Sequence, residues 1–331
     1  MNRINSPLKY FIEIPVLKSL KQGKMINTRE VVEASIQSIW KTIRFIKRRV
    51  STNPEKYFKP RYFETPSGPK YLRRIDDAAE VYFESVLSDY KKGTYEKELI
   101  FWGEESFYNP NLDLTGIDKV IVLMDIIDGT DLLMRMLSNW CSALIFLKPK
   151  SKKILASLIG FPSMRIYGWC ADIEPNPFWV KPTKPLDFKP LKGANKNVKQ
   201  LEEASICFYG QKVDNFLSFL EDKKFMEFMN KLKSTERNLR IYNIAGNPMM
   251  IRVAEGDIDV VVELTGQKPH DVVPGAYIAW KAGAVFKDLH NNNIDLEKIL
   301  LKPAHPKSEI KYILASTEEL YQDIRRHLTN S

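Results

Sequence analysis

Cysteine and histidine are scarce in this chain of 331 residues, which has three of the first and four of the second. Cys141, Cys170 and Cys207 are far apart and form no Cys-x-x-Cys pair. That excludes a disulfide scaffold and fits reduced thiols in a cytoplasmic protein. His270, His290, His305 and His327 show neither the His-Glu-x-x-His pattern nor any clustering, so no zinc site is expected. No apolar run reaches the roughly 18 residues of a membrane span. The first residues, Met1-Asn2-Arg3-Ile4-Asn5-Ser6-Pro7, lack a signal-peptide core, and the apolar stretch over 11–17 is short and broken by Glu13 and Pro15. There is no internal repeat and no low-complexity tract. A cytoplasmic protein with no membrane partner is expected.

What the chain does have is a 44% apolar and 11% aromatic composition, enough for a packed core of one large domain or of two sharing a cleft. The net charge of +9 would suit nucleic acid, an acidic membrane surface or small anions. The basic residues are dispersed, however. Their densest group, Arg44, Lys47, Arg48 and Arg49, falls near the end of an expected helix, where cations suit the helix dipole. A solvated face is the expectation there, and nucleic acid is not the expected partner.

In chain order, residues 1–27 read as a poorly patterned arm. A helix is expected from Thr28, with Thr28 as its cap, Glu30 and Glu33 in its first turn and an apolar stripe from Val31 to Ile46, stopping before Asn53-Pro54. Four prolines make 53–69 irregular or extended, with a hairpin around Ser67-Gly68. A second helix is expected over 76–90 and a short strand over 98–102 leading into Gly103-Glu104-Glu105-Ser106. Antiparallel strands are expected over 142–147, 154–161 and 165–170, then a proline- and lysine-rich interdomain passage over 174–203 that holds one short strand, Phe178-Trp179-Val180. Beyond it come a strand over 204–209, a partly helical stretch over 213–232, and a helix over 249–254 closed by Gly256. A buried strand over 258–263 follows. The next helix runs from His270 to about Ala282, with Asp271 as its cap and Pro274 tolerated in its first turn. The last strand, over 312–316, precedes a terminal helix.

The most informative stretch is Val120-Ile121-Val122-Leu123-Met124-Asp125-Ile126-Ile127-Asp128-Gly129-Thr130-Asp131. An apolar β-branched run reads as a buried strand; it ends in two aspartates three residues apart, then a Gly-Thr turn and a helix start. Close carboxylates repel unless a cation lies between them, and hard oxygen ligands suit Mg²⁺. Gly129 permits a tight turn, and the free N–H groups of the helix start face an arriving anion such as phosphate. An ordinary Asp-Gly turn between strand and helix fits the same residues.

Four separated motifs occur in order: Asp76-x-x-Ala79-Glu80, Gly103-Glu104-Glu105-Ser106, Asp125-Ile126-Ile127-Asp128-Gly129-Thr130, and His270-Asp271 opening a helix before Ala282-Gly283. From about residue 28 onward they resemble the inositol monophosphatase and fructose-1,6-bisphosphatase superfamily of Mg²⁺-dependent, often lithium-sensitive phosphatases. The resemblance implies an α/β fold, a layered αβαβα sandwich with an N-terminal α+β half (28–198) and a C-terminal α/β half (199–331). It implies two or three Mg²⁺ ions held by Glu104, Asp125, the Ile127 carbonyl, Asp128 and Asp271. It further implies that Asp76 and Thr130, helped by Glu104, orient or deprotonate the attacking water, and that Gly129 and Thr130 offer N–H groups to phosphate. Glu263 and His270 lie where the family meets the rest of its substrate, and a homodimer is expected on the same ground. The implied activity is hydrolysis of a small sugar or polyol phosphate. A fructose 1,6-bisphosphate or 3′-phosphoadenosine 5′-phosphate substrate is an alternative, as is a degenerate binding or scaffold protein. The chain departs from the family pattern at Ile126, where proline is usual, and at Asp131-Leu132-Leu133. It departs again at His270, where tryptophan is common, at Val273-Pro274 and at Lys281. None of these removes a carboxylate, but those near His270 put the substrate in doubt.

Overall fold

The computed structural model describes residues 27–65, 68–90, 98–104, 117–163, 165–183, 186–208, 217, 220–233, 240–242, 244, 246–301 and 310–328. The arm over 1–26 lies outside the described residues. Helix α1 (Thr28–Thr52) is capped by Asn27, whose side chain accepts from the Glu30 N–H, and not by Thr28. The reason is local: Asn27 has extended backbone and a carbonyl-bearing side chain, while Thr28 is already helical. A one-turn helix α2 (Pro54–Phe58) stands where only irregular chain was expected. The antiparallel hairpin of β1 (Pro60–Thr65) and β2 (Gly68–Arg73) follows it and leads into α3 (Arg74–Ser88).

Next comes a seven-stranded sheet, β3 (Leu99–Gly103), β4 (Val120–Asp128), β5 (Cys141–Lys148), β6 (Lys153–Gly160), β7 (Ile166–Cys170), β8 (Glu174–Val180) and β9 (Lys189–Pro190), with neighbours in sequence order. Only β3–β4 is parallel. The strand expected at Phe178-Trp179-Val180 is present, but it starts at Glu174 and belongs to this sheet. Pro175 and Pro177 are admitted because the β7–β8 register shifts between Gly168 and Cys170, which relaxes the demand for ladder donors there. Helices α1 and α3 cover one face, with Ile36, Ile39, Ile43, Ile46 and Phe83 packed on Val122, Met124, Leu144 and Leu158.

The other face packs on α6 (Asn247–Glu255) and α7 (Pro269–Lys281). Beyond these lies a second sheet in the order β11 (Arg240–Tyr242), β10 (Ser205–Phe208), β12 (Val260–Gln267), β14 (Ile310–Ala315), β13 (Val285–Lys287). Its outer face is closed by α5 (Lys223–Lys233) and α9 (Glu318–Leu328), through Phe208, Phe225, Phe228, Leu320 and Ile324. The short helices α4 (Thr130–Met134) and α8 (Leu296–Leu301) complete the order. Helix, sheet, helix, sheet, helix: this is the expected five-layer α/β sandwich. Among the described residues, no helix is long and apolar enough to cross a membrane.

Helix α6 is closed as expected by Gly256, whose φ of 79° suits only glycine readily. Helix α7 starts earlier than expected. Pro269 takes the first helical position, where its fixed φ and missing N–H cost nothing, so Lys268 is the cap and Asp271 lies within the first turn. Pro274 sits one turn further in than expected, inside the helix, and cannot donate to the carbonyl of His270 four residues back.

Candidate metal centre

Residues three apart on a regular strand point to opposite faces. At the end of β4 the register shifts: Asp125 pairs with Ala143 but Asp128 pairs with Cys141, so two residues of β4 oppose the single residue Ser142. This bulge turns Asp128 back onto the side that Asp125 faces. Ser142 holds the bulge by donating from Oγ to the Ile126 carbonyl at 2.8 Å, and the Ile127 N–H donates to Asp125 Oδ1 at 3.0 Å. Gly129, with φ of 95°, then turns the chain into α4; a Cβ there would press on Trp140.

Asp271, from the first turn of α7, completes the group. One carboxylate oxygen from each of Asp125, Asp128 and Asp271 lies within 4.8 Å of the others. The electrostatic strain is plain. Burial, followed by the charges of Glu104, Asp128, Asp271 and Glu80, pushes Asp125 well above the usual carboxylate range. Burial and then Asp271 push Asp128 up to about 7, against the lowering effect of its bonds from Asn247. Asp271 is raised as well, by burial first, with His270 opposing. Carboxylates so arranged form a set of hard oxygen donors able to hold a metal ion, and a cation of that kind relieves the repulsion.

Two further contacts bring distant residues to this place. The Thr130 hydroxyl lies 2.8 Å from Asp76 Oδ1 and 3.1 Å from the Ile127 carbonyl, both acceptors for its single proton. Asp76 meanwhile accepts the Arg73 N–H at Oδ2, so it serves the start of α3 and reaches Thr130 at once. Glu104, at the end of β3, comes within 3.5 Å of His270 Nε2, and Asp271 Oδ1 within 3.3 Å of the same nitrogen. Burial pulls the His270 pKa down, but Asp271 and Glu104 outweigh it and the net direction is up. His270 is only 1% exposed, so its ring faces the carboxylates.

Glu263 stands apart from this group. It is wholly buried and bends back on its own turn, its Oε1 accepting from the Thr265 N–H, the Thr265 hydroxyl and the Gly266 N–H. Lys196 donates to the carbonyls of Gly283 and Ser316. Lys281, the departure before Ala282-Gly283, lies over the rings of Trp169 and Trp280 at 4.5 Å.

The residue whose part sequence reasoning missed is Asn247. The stretch Gly246-Asn247 reads as a turn or a pocket wall. In the fold the Asn247 side chain is buried and donates from Nδ2 to Asp128 Oδ2 at 2.9 Å and to the His270 carbonyl at 3.1 Å. Its Oδ1 accepts from the Gly275 N–H at 2.7 Å, and its own N–H reaches Asp128 Oδ2 at 3.3 Å. The carbonyl it takes is the one Pro274 leaves without a helical donor. A proline inside a helical stretch, four residues after a histidine beside an aspartate, is the sequence signal for it. Glu80 was legible only as an acid in the first turns of α3; its carboxylate fills the space a Cβ on Gly103 would need.

No protein-family model matches the chain, and no curated protein matches it by sequence. Solved structures do match. The extragenic suppressor protein SuhB from Bartonella henselae superposes with a TM-score of 0.61 at 17% identity, covering 91% of this chain and 99% of that one. The IMPase of Thermotoga maritima gives 0.59 at 16%, over 90% and 96%. Inositol monophosphatase-II from Staphylococcus aureus gives 0.62 at 14%, over 91% and 92%. The layers, the sheet orders and these superpositions agree: the chain has the fold of the inositol monophosphatases.

Proposed function

We propose that this chain is a Mg²⁺-dependent phosphomonoesterase of the inositol monophosphatase superfamily, acting on a small sugar or polyol phosphate. The observation that carries the reading is the β4 bulge, which sets Asp125 and Asp128 side by side and within reach of Asp271 from the other sheet's side of the molecule. Glu104, Asp125, Asp128, Asp271 and the Ile127 carbonyl would hold two or three ions. When bound, Mg²⁺ supplies positive charge to the phosphoryl oxygens and the leaving alkoxide, and acidity to the attacking water.

The protein's own groups do the rest. Thr130 donates its hydroxyl proton to Asp76 Oδ1, which turns its lone pairs outward to accept a proton from water. The N–H groups of Gly129 and Thr130 face the phosphate at the turn into α4. Asn247 fixes Asp128 against α7, and Glu104 aligns with His270. Water attacks phosphorus, the ester P–O bond breaks, and the alcohol leaves with a proton as inorganic phosphate forms. Glu263 and His270 are the side chains taken to meet the rest of the substrate; Glu263 Oε1 is held by its own turn, whereas Oε2 has no hydrogen-bond partner among the described residues. The same reading takes 28–198 and 199–331 as two halves meeting at the site, in a cytoplasmic homodimer.

Among structures of this fold, one is of the Staphylococcus IMPase-II bound to inositol monophosphate and another is of the same protein with 2′AMP, which keeps a nucleotide phosphate as a second substrate class. The test is phosphate release from inositol 1-phosphate, fructose 1,6-bisphosphate, 3′-phosphoadenosine 5′-phosphate and 2′-AMP, with Mg²⁺ or EDTA, for the wild type and Asp125→Asn. Mg²⁺-dependent release lost in the variant is expected. Neither turnover nor Mg²⁺ binding would sink the reading.

A further inference from the structure

We propose that the cleft between the start of β7, the end of β8 and the last turns of α6 binds a phosphate group, as the free ion or on a small monoester, at a site apart from the metal centre. The cleft has a volume of about 550 Å³ and is lined by Ser163, Arg165, Tyr167, Lys181, Thr183 and Arg252. Three of these side chains are cations, two carry aliphatic hydroxyls, and no carboxylate is among them. Strand pairing assembles it. Ile166 of β7 pairs with Gly160 of β6 and with Val180 of β8, which sets Arg165 and Lys181 at neighbouring strand ends. Tyr167 points to the face of the sheet that packs on α6, and there it meets the end of α6 that carries Arg252. Counted across β5 and β6, β7 lies three strand spacings from β4, roughly 14 Å at about 4.8 Å each, so the cleft is separate from Asp128.

What separates this cleft from the dispersed basic surface is that its guanidinium groups are tied down in advance. Arg252 Nη1 donates to Glu255 Oε2 at 2.6 Å and lies 3.6 Å from Asp257 Oδ2. The Tyr167 hydroxyl donates to Glu255 Oε1 at 3.0 Å and accepts from the Arg165 guanidinium. One hydrogen-bonded chain, Arg165–Tyr167–Glu255–Arg252, therefore joins two cations across β7 and α6. Aromatic rings support both: Arg165 lies 5.0 Å over Trp179, and Arg252 lies 5.7 Å over Phe161. Side chains held in this way lose less freedom when an anion arrives, and a guanidinium fork matches the oxygens of phosphate. Both acids of the network are engaged by Arg252, and among the described residues Arg165 and Lys181 form no ion pair, so the lining keeps its positive charge. Lys47 of α1 donates to the Pro162 carbonyl at 3.0 Å, beside Ser163, and adds a fourth cation at the rim. Several cations and two hydroxyls around one small cleft suit a compact dianion with hydrogen-bonding oxygens, which is the chemistry of a phosphate group.

The proposal does not depend on the metal, so it is tested in EDTA, where the clustered carboxylates of Asp125, Asp128 and Asp271 repel anions from the metal centre. Calorimetry on the full chain measures inorganic phosphate, glycerol 3-phosphate and nitrate binding to the wild type, Arg165→Gln and Lys181→Gln. Both substituted residues are exposed, and circular dichroism checks that each variant is folded. The expected result is one saturable phosphate site per chain, with a Kd of about 1 mM or tighter. Nitrate should bind at least about tenfold more weakly, and each variant should lose about tenfold or more in phosphate affinity. Glycerol 3-phosphate binding more tightly than phosphate identifies a monoester as the source, and the reverse order identifies the free ion; either supports the site. Lack of saturable phosphate binding by the wild type overturns the proposal. So does binding that both variants retain undiminished, which would place the anion elsewhere, at the turn of Gly129 and Thr130 for example. Retention on heparin without binding of phosphate also overturns it, in favour of a diffuse basic surface. None of these outcomes bears on the phosphatase reading, which stands or falls on Mg²⁺-dependent turnover.

Discussion

Replacing Asp128 by asparagine should make the metal-free protein more stable while abolishing its response to Mg²⁺. Asp128 lies within 4.8 Å of two other carboxylates. At that separation and an effective dielectric constant of about 20, each charged pair repels by about 3.5 kcal/mol. Protonation caps the cost. With the Asp128 pKa pushed from 3.8 up to about 7, chiefly by burial and then by Asp271, the ionised form is penalised by at most about 4 kcal/mol. Neighbouring acids share protons and the site is partly exposed, so a gain of roughly 2–4 kcal/mol is expected at pH 8. The sign with pH follows directly. The folded protein keeps this proton up to about pH 7, whereas the unfolded chain releases it near 4. Stability of the metal-free wild type therefore falls as pH rises from about 4 to about 7 and stays low above that. In Asp128→Asn this fall should shrink. Urea denaturation in EDTA at pH 5 and pH 8, followed by tryptophan fluorescence, measures the difference. Adding Mg²⁺ at about a hundred times its Kd should return about 2.7 kcal/mol to the wild type and almost nothing to the variant. A variant less stable than wild type in EDTA at pH 8, with its Mg²⁺ response intact, would refute the electrostatic account of the cluster.

Asn247→Ala leaves the Gly275 N–H and the His270 carbonyl buried without partners and should cost about 3–5 kcal/mol in urea denaturation; a loss below about 1 kcal/mol would mean that this side chain does not clamp Asp128 to α7. Thr130→Val keeps the shape of the side chain but removes the hydroxyl between Asp76 and Ile127. It should lower kcat by about 10²-fold or more with Mg²⁺ affinity unchanged, and an unchanged kcat would remove Thr130 from the proton path. Glu84, two turns beyond Asp76 on α3, is pushed by burial from 4.5 up to about 7, so stability falls as the pH rises from about 4.5 to about 7 and stays low above that. Glu84→Gln should stabilise by about 1–3 kcal/mol at pH 8, after allowance for partial exposure, and by less than about 1 kcal/mol at pH 5; an equal gain at both pH values would show that ionisation is not the cause.

Much of the architecture is legible in the chain because its signals are local. The apolar stripe from Val31 to Ile46 makes α1 whatever it packs on, and Gly256 ends α6 by its own conformational freedom. Boundaries set by competing local choices were harder. Thr28 and Asp271 are good caps, yet Asn27 and Pro269 occupy the positions where backbone geometry decides, and each shifts a helix start. The strand at Phe178–Val180 is legible, but residues 174–177 read as linker because prolines normally interrupt strands; only the shifted register against β7 admits them.

The candidate site divides along the same line. The acids Asp76, Glu104, Asp125, Asp128 and Asp271 are identifiable from residue type and order, because the chemistry of holding a cation restricts what can stand there. Their meeting is not local. Asp125 and Asp128 share a face because a bulge against Ser142 undoes strand alternation, and Thr130 meets Asp76 because α3 packs on β4. Asn247 joins Asp128 to α7 only because Pro274 leaves a carbonyl open beside it. Sequence alone thus determined most of the helices and strands and the set of carboxylates, since propensity and charge belong to single residues and near neighbours, while α2 and the start of β8 were not among them. Which of those carboxylates repel one another, which polar group clamps them and where the buried His270 ring points depend on contacts across 50 to 120 residues of chain. Those were decided by the packing of the two sheets around α6 and α7.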